Sequence, residues 1–375
     1  EGVPRYLVCN ADESEPGTFK DHYLMREIPH LLIEGMIVSS FALGAKKSFI
    51  YVRGELMYVI KILEKAIAEA TAAGFLGKNI LGSGYDLELV VQPGGGAYIC
   101  GEETALLESL EGKRGNPRNK PPFPAVKGLY QSPTVVNNVE SIANTPWIVN
   151  NGGDSYAALG VGRSTGTKLI SASGHINKPG VYEIPLGITV EDFIYADEWC
   201  GGIRPGHHLK AVIAGGSSVP ILPAKLILNL ANGDKRLMTY ESLSDGGFAT
   251  GTMLGSGGFI AMDETACVVR NTWTFARFYH HESCGQCSPC REGTGWMDKV
   301  LERIETGKGN MRDIDLLVDV AKKIEGNTIC PLGDAAAWPI ASAIRHFRAE
   351  FEWHVTHPYE ATQPGAVYRG EMELV

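Results

Sequence analysis

An apolar run, Tyr6-Leu-Val-Cys9, leads directly into a polar run, Asn10-Ala-Asp-Glu-Ser14. Such a pair is typical of a buried strand that delivers polar side chains at its carboxyl end. Further strands are predicted at residues 48–53 and 87–91, with a helix over residues 29–43 after the first strand. Because strands alternate with helices, this part of the chain is predicted to fold as an α/β layer.

The pattern of the chain changes near Lys168. From there to about residue 246, short strands surround one helix that begins near Val190, which predicts a separate, compact α+β module. After Asp263 apolar residues recur at helical spacing, most clearly between residues 297 and 304. This spacing predicts a small helix bundle at the end of the chain.

Composition and charge narrow the class of protein. The 375 residues are 44% hydrophobic, and their net charge of -9 argues against nucleic acid as a partner. The longest apolar run, residues 31–43, is interrupted by Glu34 and Gly35 and is shorter than the ~20 residues that cross a bilayer. We therefore expect no direct membrane contact. The chain opens without an initiator Met or a signal peptide, from which we expect that an upstream part is missing.

Four cysteines have the spacing of an iron–sulfur site. Cys284, Cys287 and Cys290 form a C-x-x-C-x-x-C run, and Cys330, followed by Pro331, supplies a fourth thiol. Three thiolates close in sequence can hold one side of a cubane and a distant fourth can complete it, which favours a [4Fe–4S] cluster. The alternative is a structural zinc ion, although zinc sites usually contain two separated C-x-x-C pairs.

Other potential ligands lack this spacing. Lone cysteines in apolar surroundings are mostly small buried hydrophobes, so four are interpreted as structural: Cys9, Cys100, Cys200 and Cys267. His280 and His281 precede the cluster, but four cysteines already complete it. We expect the two histidines to pack against the ligands or to orient them.

Two further segments have the chemistry to bind a cofactor. The acidic run contains Asn10, Asp12, Glu13, Ser14 and Glu15, and it fits either a polyhydroxylated cofactor or a solvated turn. Gly94-Gly-Gly96 precedes a helix predicted from about Glu102, where backbone N–H groups can approach an anion or a flat ring. Glu102 and Glu103 also suit the positive end of that helix without any cofactor. The glycine spacing does not match a standard Rossmann fingerprint.

A stiff segment, Lys120-Pro-Pro-Phe-Pro124, presents one cation and one aromatic ring. Held rigidly, these groups can bind a pyrophosphate and stack on an adenine or nicotinamide ring. A plain proline-rich connector is the alternative interpretation.

The chain contains, in this order, Asn10-Ala-Asp-Glu-Ser-Glu-Pro-Gly17, Gly96-Ala-Tyr-Ile-Cys-Gly-Glu-Glu-Thr104, Lys120-Pro-Pro-Phe-Pro124, Asn137-Asn138, Glu282-Ser-Cys-Gly-Gln-Cys-Ser-Pro-Cys-Arg291 and Cys330-Pro-Leu332. Together these blocks resemble the 51 kDa flavoprotein subunit of respiratory complex I. The resemblance extends from residue 1 to about residue 355. It implies a subunit that binds FMN and NADH in one cavity, with a [4Fe–4S] cluster alongside.

The resemblance also implies roles for individual residues. The implied flavin contacts are Asn10, Asp12, Tyr98, Gly101, Glu102, Asn137 and Asn138, with Glu13 and Ser14 in the same cavity wall. The implied NADH contacts are Glu15, Glu103, Lys120 and Phe123. The implied cluster ligands are Cys284, Cys287, Cys290 and Cys330, and Leu332 and Gly333 are expected near the flavin.

At the level of domains, the resemblance implies an FMN- and NADH-binding α/β domain at residues 1–165 and a ubiquitin-like β-grasp domain of the SLBB type at residues 166–248. A helical [4Fe–4S]-binding domain at 249–355 and a tail at 356–375 follow. The family's glycine loop for the flavin phosphate lies upstream of the strand that begins this chain. The implied partners are a thioredoxin-like [2Fe–2S] subunit, a large iron–sulfur subunit and, indirectly, quinone. The implied location is the cytoplasmic face of the bacterial inner membrane, or the matrix side in mitochondria.

The implied activity is NADH dehydrogenase: hydride passes from NADH to FMN, and single electrons then leave through the cluster toward quinone. No side chain is required as acid or base. One rival is the diaphorase subunit of an NAD-linked hydrogenase or formate dehydrogenase, which shares this core. Many of those carry an added ferredoxin-like domain, whereas no cysteine follows Cys330 here. A second rival is an electron-relay protein that has lost its flavin.

Overall fold

The computed structural model of the chain describes residues 2–370 and 374, apart from the side chain of residue 248. The chain forms two compact units. Unit 1 comprises Glu1–Ser14 and Phe19–Ala157, and unit 2 comprises Glu15–Thr18 and Ala158–Val375. The short segment at residues 15–18 therefore belongs to the second unit although it lies early in the sequence.

Unit 1 contains a parallel sheet. Its strands are β1 (Tyr6–Ala11), β2 (Lys47–Val52), β3 (Glu88–Pro93) and β4 (Thr134–Asn138), in the spatial order β3-β2-β1-β4. Every neighbouring pair is parallel, so all four carboxyl ends lie at one edge of the sheet. The first three strands agree with the sequence prediction, whereas β4 was not predicted as a strand.

The helices of unit 1 cover the sheet and its connections. They are α1 (Lys20–Glu27), α2 (Pro29–Leu43), α3 (Met57–Ala72), α4 (Glu103–Leu110), α5 (Pro124–Lys127), α6 (Val139–Ala143), α7 (Thr145–Asn151) and α8 (Gly153–Ala157). The bounds of α2 agree with the sequence prediction because Pro29 suits a first helical position and Gly44, with φ 71°, ends the helix in the left-handed conformation. Single 3₁₀ turns lie at Ile80–Gly82, Tyr98–Gly101 and Leu129–Gln131.

The strand order reverses direction between β1 and β4. From β1 the chain continues outward through β2 and β3, and β4 then returns to the other side of β1. In open α/β sheets, ligands bind outside the carboxyl ends of the strands at such a reversal. Asn10 pairs in register with Asn138, so two residues implied as flavin contacts lie on adjacent strands there.

Unit 2 contains a mixed sheet. Its strands are β5 (Thr167–Gly174), β6 (Gly180–Pro185), β7 (Leu209–Ala214), β8 (Ile221–Pro223) and β9 (Gly258–Asp263), in the order β6-β5-β9-β7-β8. The pair β5 and β9 is parallel and the other pairs are antiparallel. Short helices accompany the sheet at α9 (Val190–Tyr195), α10 (Ala224–Leu228), α11 (Tyr240–Ser244) and α12 (Gly247–Thr250).

The middle module closes around one apolar core, in which Phe193 and Phe259 pack edge to face with ring centroids 5.1 Å apart. Phe259 belongs to β9, the central strand of the sheet. A domain boundary at residue 248, as predicted from the sequence, separates β9 from the strands with which it pairs. We therefore propose that the middle domain ends after Asp263. The other domain boundaries remain predictions.

The helices of the last part of the chain form a bundle. They are α13 (Val268–Glu282), α14 (Ser288–Glu305), α15 (Met311–Ile324), α16 (Leu332–Thr356) and α17 (Pro358–Ala361). The repeat predicted between residues 297 and 304 lies in α14, where Met297, Val300, Leu301 and Ile304 are buried. Among the helices of residues 2–370, none has the length and apolar character that a membrane crossing requires. The predicted architecture of an α/β domain, a β-grasp domain and a helical iron–sulfur region is confirmed.

Candidate functional site

Asn10 joins two of the sequence blocks in unit 1. Its side-chain Nδ2 donates to the carbonyl of Gly101 at 2.8 Å, and its Oδ1 accepts the backbone N–H of Asp12 at 3.2 Å. The half-buried Tyr98 begins the 3₁₀ turn that ends at Gly101. The end of β1 and the segment ahead of α4 therefore lie together at the carboxyl edge of the sheet.

Asn137 and Asn138 end β4 but have different surroundings. Asn138 Oδ1 accepts the N–H of Glu140 at 3.0 Å and so caps α6, and it also accepts Lys20 Nζ at 3.1 Å. Its Nδ2 donates to Asp21 Oδ2 at 2.6 Å and to the carbonyl of Asn10 at 3.4 Å. These bonds use both acceptor and both donor positions of the amide. Asn137, by contrast, is exposed.

Lys20 lies behind these asparagines, and no sequence pattern had indicated it. It is 3% exposed, and its Nζ lies 2.6 Å from Asp21 Oδ1 and 2.8 Å from Glu140 Oε2. Burial alone would lower the pKa of Lys20, but Asp21 and Glu140 outweigh burial and raise it. A lysine followed by Asp21 and His22 has the composition of an exposed turn, so the local sequence carried no signal of its burial.

Glu13 anchors the loop that follows β1. It is 8% exposed, and its carboxylate accepts the N–H of Asp21 at 2.8 Å and that of His22 at 3.0 Å, both in the first turn of α1. Burial alone would raise the pKa of Glu13, but the hydrogen bonds from His22 and Asp21 lower it. Ser14 donates its hydroxyl proton to Asp12. The side chains of Glu13 and Ser14 thus hold the loop in place, and their implied part in a cavity wall remains a prediction.

The glycine run at residues 94–96 brings bare backbone to the same edge. A Cβ on Gly94 would lie 2.7 Å from the hydroxyl of Tyr51, and Gly96 has a φ of 79° that favours glycine. A Cβ on Gly95 would have no described atom within 4 Å, so the backbone there borders open space. A flat ring can approach such a backbone closely.

Glu102, Glu103 and Lys120 form one charged group. Glu102 caps α4, because its Oε2 accepts the N–H groups of Thr104 at 2.8 Å and Ala105 at 3.0 Å. These N–H groups, which had been considered for anion binding, are therefore already satisfied. Lys120 Nζ lies 3.0 Å from Glu102 Oε1 and also contacts Glu103. Burial would lower the pKa of Lys120, but Glu103 and Glu102 raise it.

Phe123 stands at the N-terminus of α5 and is 57% exposed, so its ring is accessible for stacking. Together, the carboxyl edge of unit 1 offers the exposed amide of Asn137, the half-buried Tyr98, the open backbone at Gly95 and this ring. A flavin and its polyhydroxylated chain need polar donors and acceptors beside flat contact surfaces. The donor set therefore fits FMN and a nicotinamide nucleotide.

Glu15 belongs to unit 2. Its Oε1 accepts the N–H of Ser218 at 2.8 Å, and a Cβ on Gly216 would lie 2.5 Å from the same oxygen. Burial raises the pKa of Glu15, against hydrogen bonds from Ser218 and Ser256 that lower it. The carboxylate is thus committed to the loop after β7, and its implied hydrogen bond to NADH remains a prediction.

The four spaced cysteines lie at the beginnings of two helices of unit 2. Cys287 is the N-cap of α14 and Cys290 lies in its first turn, while Cys330 precedes the first residue of α16 by two positions. Cys284 lies in the loop before α14, next to Gly285, whose φ is 73°. Helix N-termini carry a partial positive charge, which stabilises thiolates and an anionic cluster.

Two glycines bring these helix beginnings together. A Cβ on Gly293 would lie 2.6 Å from Cδ1 of Ile324, and a Cβ on Gly333 would lie 3.0 Å from Cγ2 of the same residue. Gly293 follows Cys290 by one helical turn, and Gly333 follows Cys330 by the same number of positions. Leu332 is 5% exposed. Leu332 and Gly333 therefore have packing roles here, and their implied position near the flavin remains a prediction.

The thiols fit a cluster better than a single zinc ion. All eight cysteines, each within the described residues, are thiols rather than disulfides. Around one zinc, Zn–S bonds of about 2.3 Å would bring four sulfurs to within about 4 Å of one another. In the described part of the chain, the groups of three or more potential ligand atoms within 4.8 Å are Cys267 with Glu350 and His354, and His207 with Asp263 and Glu264. The four cysteines are thus spread more widely, as a cubane needs.

Protonation also bears on ligation. Burial raises the pKa of the Cys290 thiol to about 11, and the neighbouring Cys287 and Cys284 add to that shift. Iron must therefore displace a proton from this sulfur, and metal binding is coupled to proton release.

The remaining candidates have structural surroundings. Cys9, Cys100, Cys200 and Cys267 are buried, as expected for structural cysteines. His280 hydrogen-bonds Asp298 through Nδ1 at 2.9 Å, and a Cβ on Gly295 would lie 3.0 Å from its Nε2. The side chain of His281 is 85% exposed. The packing role expected for His280 agrees with these contacts.

Known families match three parts of the chain. Residues 1–147 match the Nuo51 FMN-binding domain, residues 168–254 the SLBB domain, and residues 270–354 the NADH-ubiquinone oxidoreductase-F iron-sulfur binding region. These matches confirm FMN and a [4Fe–4S] cluster as the cofactors.

Whole-chain comparisons give the same result. The NADH-quinone oxidoreductase-F protein of Mycobacterium tuberculosis, one subunit of that enzyme, is 53% identical over 355 residues, covering 94% of this chain and 76% of that protein. Its counterpart in Streptomyces coelicolor is 52% identical over 359 residues, covering 95% and 76%. A crystal structure of an NAD+-reducing [NiFe]-hydrogenase in the H2-reduced state has a TM-score of 0.82 at 36% identity, and the match covers 94% of this chain but 56% of the hydrogenase chain.

The resemblance inferred from six sequence blocks is therefore confirmed. Since its relatives are more than half identical over nearly the whole chain, and its domains carry the flavin and the iron–sulfur cluster, the chain belongs to the NADH-quinone oxidoreductase-F family of flavoprotein subunits.

Proposed function

We propose that the chain oxidises NADH for a respiratory NADH-quinone oxidoreductase. Unit 1 holds FMN and NADH at the carboxyl edge of its sheet, and unit 2 holds a [4Fe–4S] cluster that passes electrons onward. The observation that carries this proposal is the position of the four cysteines at two helix beginnings that meet at Ile324. A chain with only a nucleotide-binding edge would have no outlet for single electrons.

Bound FMN supplies a hydride acceptor that can release electrons one at a time. The chain's own residues bind and orient. Asn137 and the backbone near Gly95 hold the flavin, and the exposed ring of Phe123 stacks on the dinucleotide. Hydride transfer needs no proton donor, so the acidic side chains of unit 1 serve binding and structure.

Lys120 has a specific part in nucleotide binding. Its ammonium is held by Glu102 and Glu103. A pyrophosphate can recruit this cation only by replacing at least one of the two carboxylates. Lys120 therefore discriminates in favour of ligands that carry enough negative charge to compete with Glu103, the more exposed of the pair.

In unit 2, Cys284, Cys287, Cys290 and Cys330 hold the cluster. As a member of the NADH-quinone oxidoreductase-F family, the chain is one component of a multi-subunit complex. Its neighbours are proposed to be a thioredoxin-like [2Fe–2S] subunit and a large iron–sulfur subunit, with quinone reached indirectly. The proposed location is the cytoplasmic face of the bacterial inner membrane, or the matrix side in mitochondria.

The test compares two cysteine variants of the full-length chain in its complex. Cys330→Ala removes a proposed ligand, and Cys200→Ala removes a buried cysteine from the β-grasp core as a matched control. We expect Cys330→Ala to lose iron and electron transfer to quinone while it retains flavin absorbance and NADH–ferricyanide activity, since ferricyanide can take electrons from the flavin. Cys200→Ala should keep all four properties. A colourless complex that contains zinc would reject the proposal.

The diaphorase subunit of a hydrogenase is the second candidate, favoured by the structural similarity to an NAD+-reducing [NiFe]-hydrogenase. The NADH-quinone oxidoreductase relatives are more similar in sequence, at 53% identity against 36%. Identification of the proteins that co-purify with the tagged chain would distinguish the two. A nickel-containing partner would favour the hydrogenase, and a quinone-reducing membrane complex would favour the respiratory assignment.

A further inference from the structure

We propose that Lys20 is a positioning residue of the flavin site, acting through Asn138. This inference rests on the proposed function of unit 1. Lys20 lies outside all six sequence blocks, but its Nζ contacts Asn138 Oδ1 at 3.1 Å, at the junction of β1 and β4.

The position of Lys20 is unfavourable except for its partners. It is the first residue of α1, where the helix end carries a partial positive charge, and it is 3% exposed. A buried ammonium is costly unless it is paired, and Asp21 and Glu140 supply that pairing. Buried ion pairs can often be replaced by apolar residues without loss of stability. Stability alone therefore does not account for a lysine here, whereas a defined orientation of its partners does.

Lys20 fixes which way the amide of Asn138 points. An amide can rotate by half a turn with little change in shape, and its neighbours decide between the two states. Lys20 Nζ and the N–H of Glu140 are donors, so they require the oxygen on their side. Asp21 Oδ2 and the carbonyl of Asn10 are acceptors, so they require the nitrogen on the other side.

This orientation reaches the proposed flavin contacts in two ways. The amide of Asn138 holds the end of β1 at Asn10, whose own side chain binds Gly101 at 2.8 Å. Successive residues of a strand also point to opposite faces, so a fixed Asn138 sets the direction of the exposed Asn137. Lys20 thereby defines the geometry of Asn10 and Asn137 without touching the flavin.

The test uses Lys20→Met in the full-length chain within its assembled complex. We expect FMN to be released about tenfold faster after dilution, measured by the rise of free-flavin fluorescence, a change equivalent to about 1.4 kcal/mol. The visible circular dichroism of the bound flavin should change as well, because its polar contacts are reoriented. Lys210→Met is the matched control, since Lys210 is 1% exposed and pairs with Glu350 at 2.8 Å in unit 2. It should leave both flavin readouts unchanged.

A second variant keeps the inference testable if Lys20→Met folds poorly. Asn138→Ser retains an N-cap for α6 but lacks the amide that binds Asp21 and Asn10. We expect it to release FMN faster by a similar factor, and the double variant to add little, because both changes break one pathway. Additive effects, or flavin release unchanged in either single variant, would overturn the positioning role. A wild-type complex without FMN would instead reject the proposed function.

Discussion

Neighbouring asparagines at the end of β4 perform different tasks. Asn138 uses its amide to cap α6 and to join β4 with β1, whereas Asn137 is exposed at the carboxyl edge of the sheet. The sequence places two identical residues side by side, and the family resemblance assigns both to the flavin. Only the pairing of the strands distinguishes them, because it decides which side chain points toward the N-terminus of α1.

The first prediction follows from this difference. Asn137→Ala should weaken FMN binding and leave the free energy of unfolding within about 0.5 kcal/mol of the wild type, since an exposed side chain is removed. Asn138→Ala should lower that free energy by about 1 kcal/mol through the lost cap. Flavin content after gel filtration and chemical denaturation measure the two effects. Equal losses of stability in both variants would contradict the assignment.

His354 should make unit 2 sensitive to acid. It is 1% exposed, with Nε2 at 3.3 Å from the sulfur of Cys267, and burial lowers its pKa to about 4, assisted by Arg270 and Lys210. An unfolded histidine titrates near 6.5. Between about pH 6.5 and pH 4 the unfolded chain therefore binds a proton that the folded chain does not, so stability should fall as the pH falls through this window.

Denaturation at pH 7 and pH 5 measures this second prediction. His354→Gln cannot take up the proton, so its stability should decrease less than that of the wild type between the two values, by an amount on the order of 1 kcal/mol. His208→Gln, at an exposed position in the same unit, is the control and should follow the wild type. The same pH dependence in wild type and His354→Gln would exclude His354 as the acid-sensitive group.

At the scale of elements, the beginnings of α14 and α16 depend on two glycines that pack against one isoleucine. Glycine inside a helix normally costs about 1 kcal/mol relative to alanine. At Gly293 that cost is accepted because a Cβ would lie 2.6 Å from two atoms of Ile324. The close approach sets the distance between the helix that carries Cys290 and the turn after Cys330.

Gly293→Ala should therefore destabilise the protein by about 1–3 kcal/mol and reduce its iron content, although alanine is the better helix former. Ile324→Val, which removes Cδ1, should restore part of the loss in the double variant. Gly153→Ala is the control, because a Cβ there has no described atom within 4 Å at the start of α8. Metal analysis and thermal unfolding test the prediction. Full iron content in Gly293→Ala would refute it.

Elements whose signals are local could be predicted from the sequence. The helix α2 is bounded by Pro29 and Gly44, and its ends are determined by the backbone preferences of those residues. Caps from distant residues could not be predicted. Glu13 satisfies the N-terminus of α1 from seven positions before the helix begins, and no local rule connects it with Asp21. The cysteine spacing identified the cluster, whereas Lys20 and the packing at Ile324 depend on tertiary structure.

At the scale of the whole molecule, the order of strands in unit 2 does not follow the order of the sequence. β9 is separated from β8 by helices α10 to α12, but it pairs with β5 on one side and β7 on the other. Its length and apolar character predicted neither partner, because strand pairing is decided by contacts distant in the sequence. For this reason the boundary predicted at residue 248 omitted the central strand.

Hydrogen exchange in the full-length chain tests the revised boundary. The backbone amides of β9 should exchange among the slowest in unit 2, together with those of β5 and β7, because both sides of a central strand are bonded. Amides of the edge strands β6 and β8 should exchange faster. If β9 exchanged as fast as the edge strands, the boundary would return toward residue 248.

The burial of the cysteines has a practical consequence for assays. Cys9 and Cys200 are fully buried, Cys100 and Cys267 nearly so, and burial raises the pKa of Cys200 and of Cys267 to about 12. Alkylating reagents attack accessible thiolates, so these four sulfurs should resist labelling in the native protein. Cys284, Cys287 and Cys330 are only partly buried. Maleimide uptake by the native chain would then increase only as iron is lost, and mass spectrometry of the labelled chain would report the fraction of damaged enzyme in a preparation.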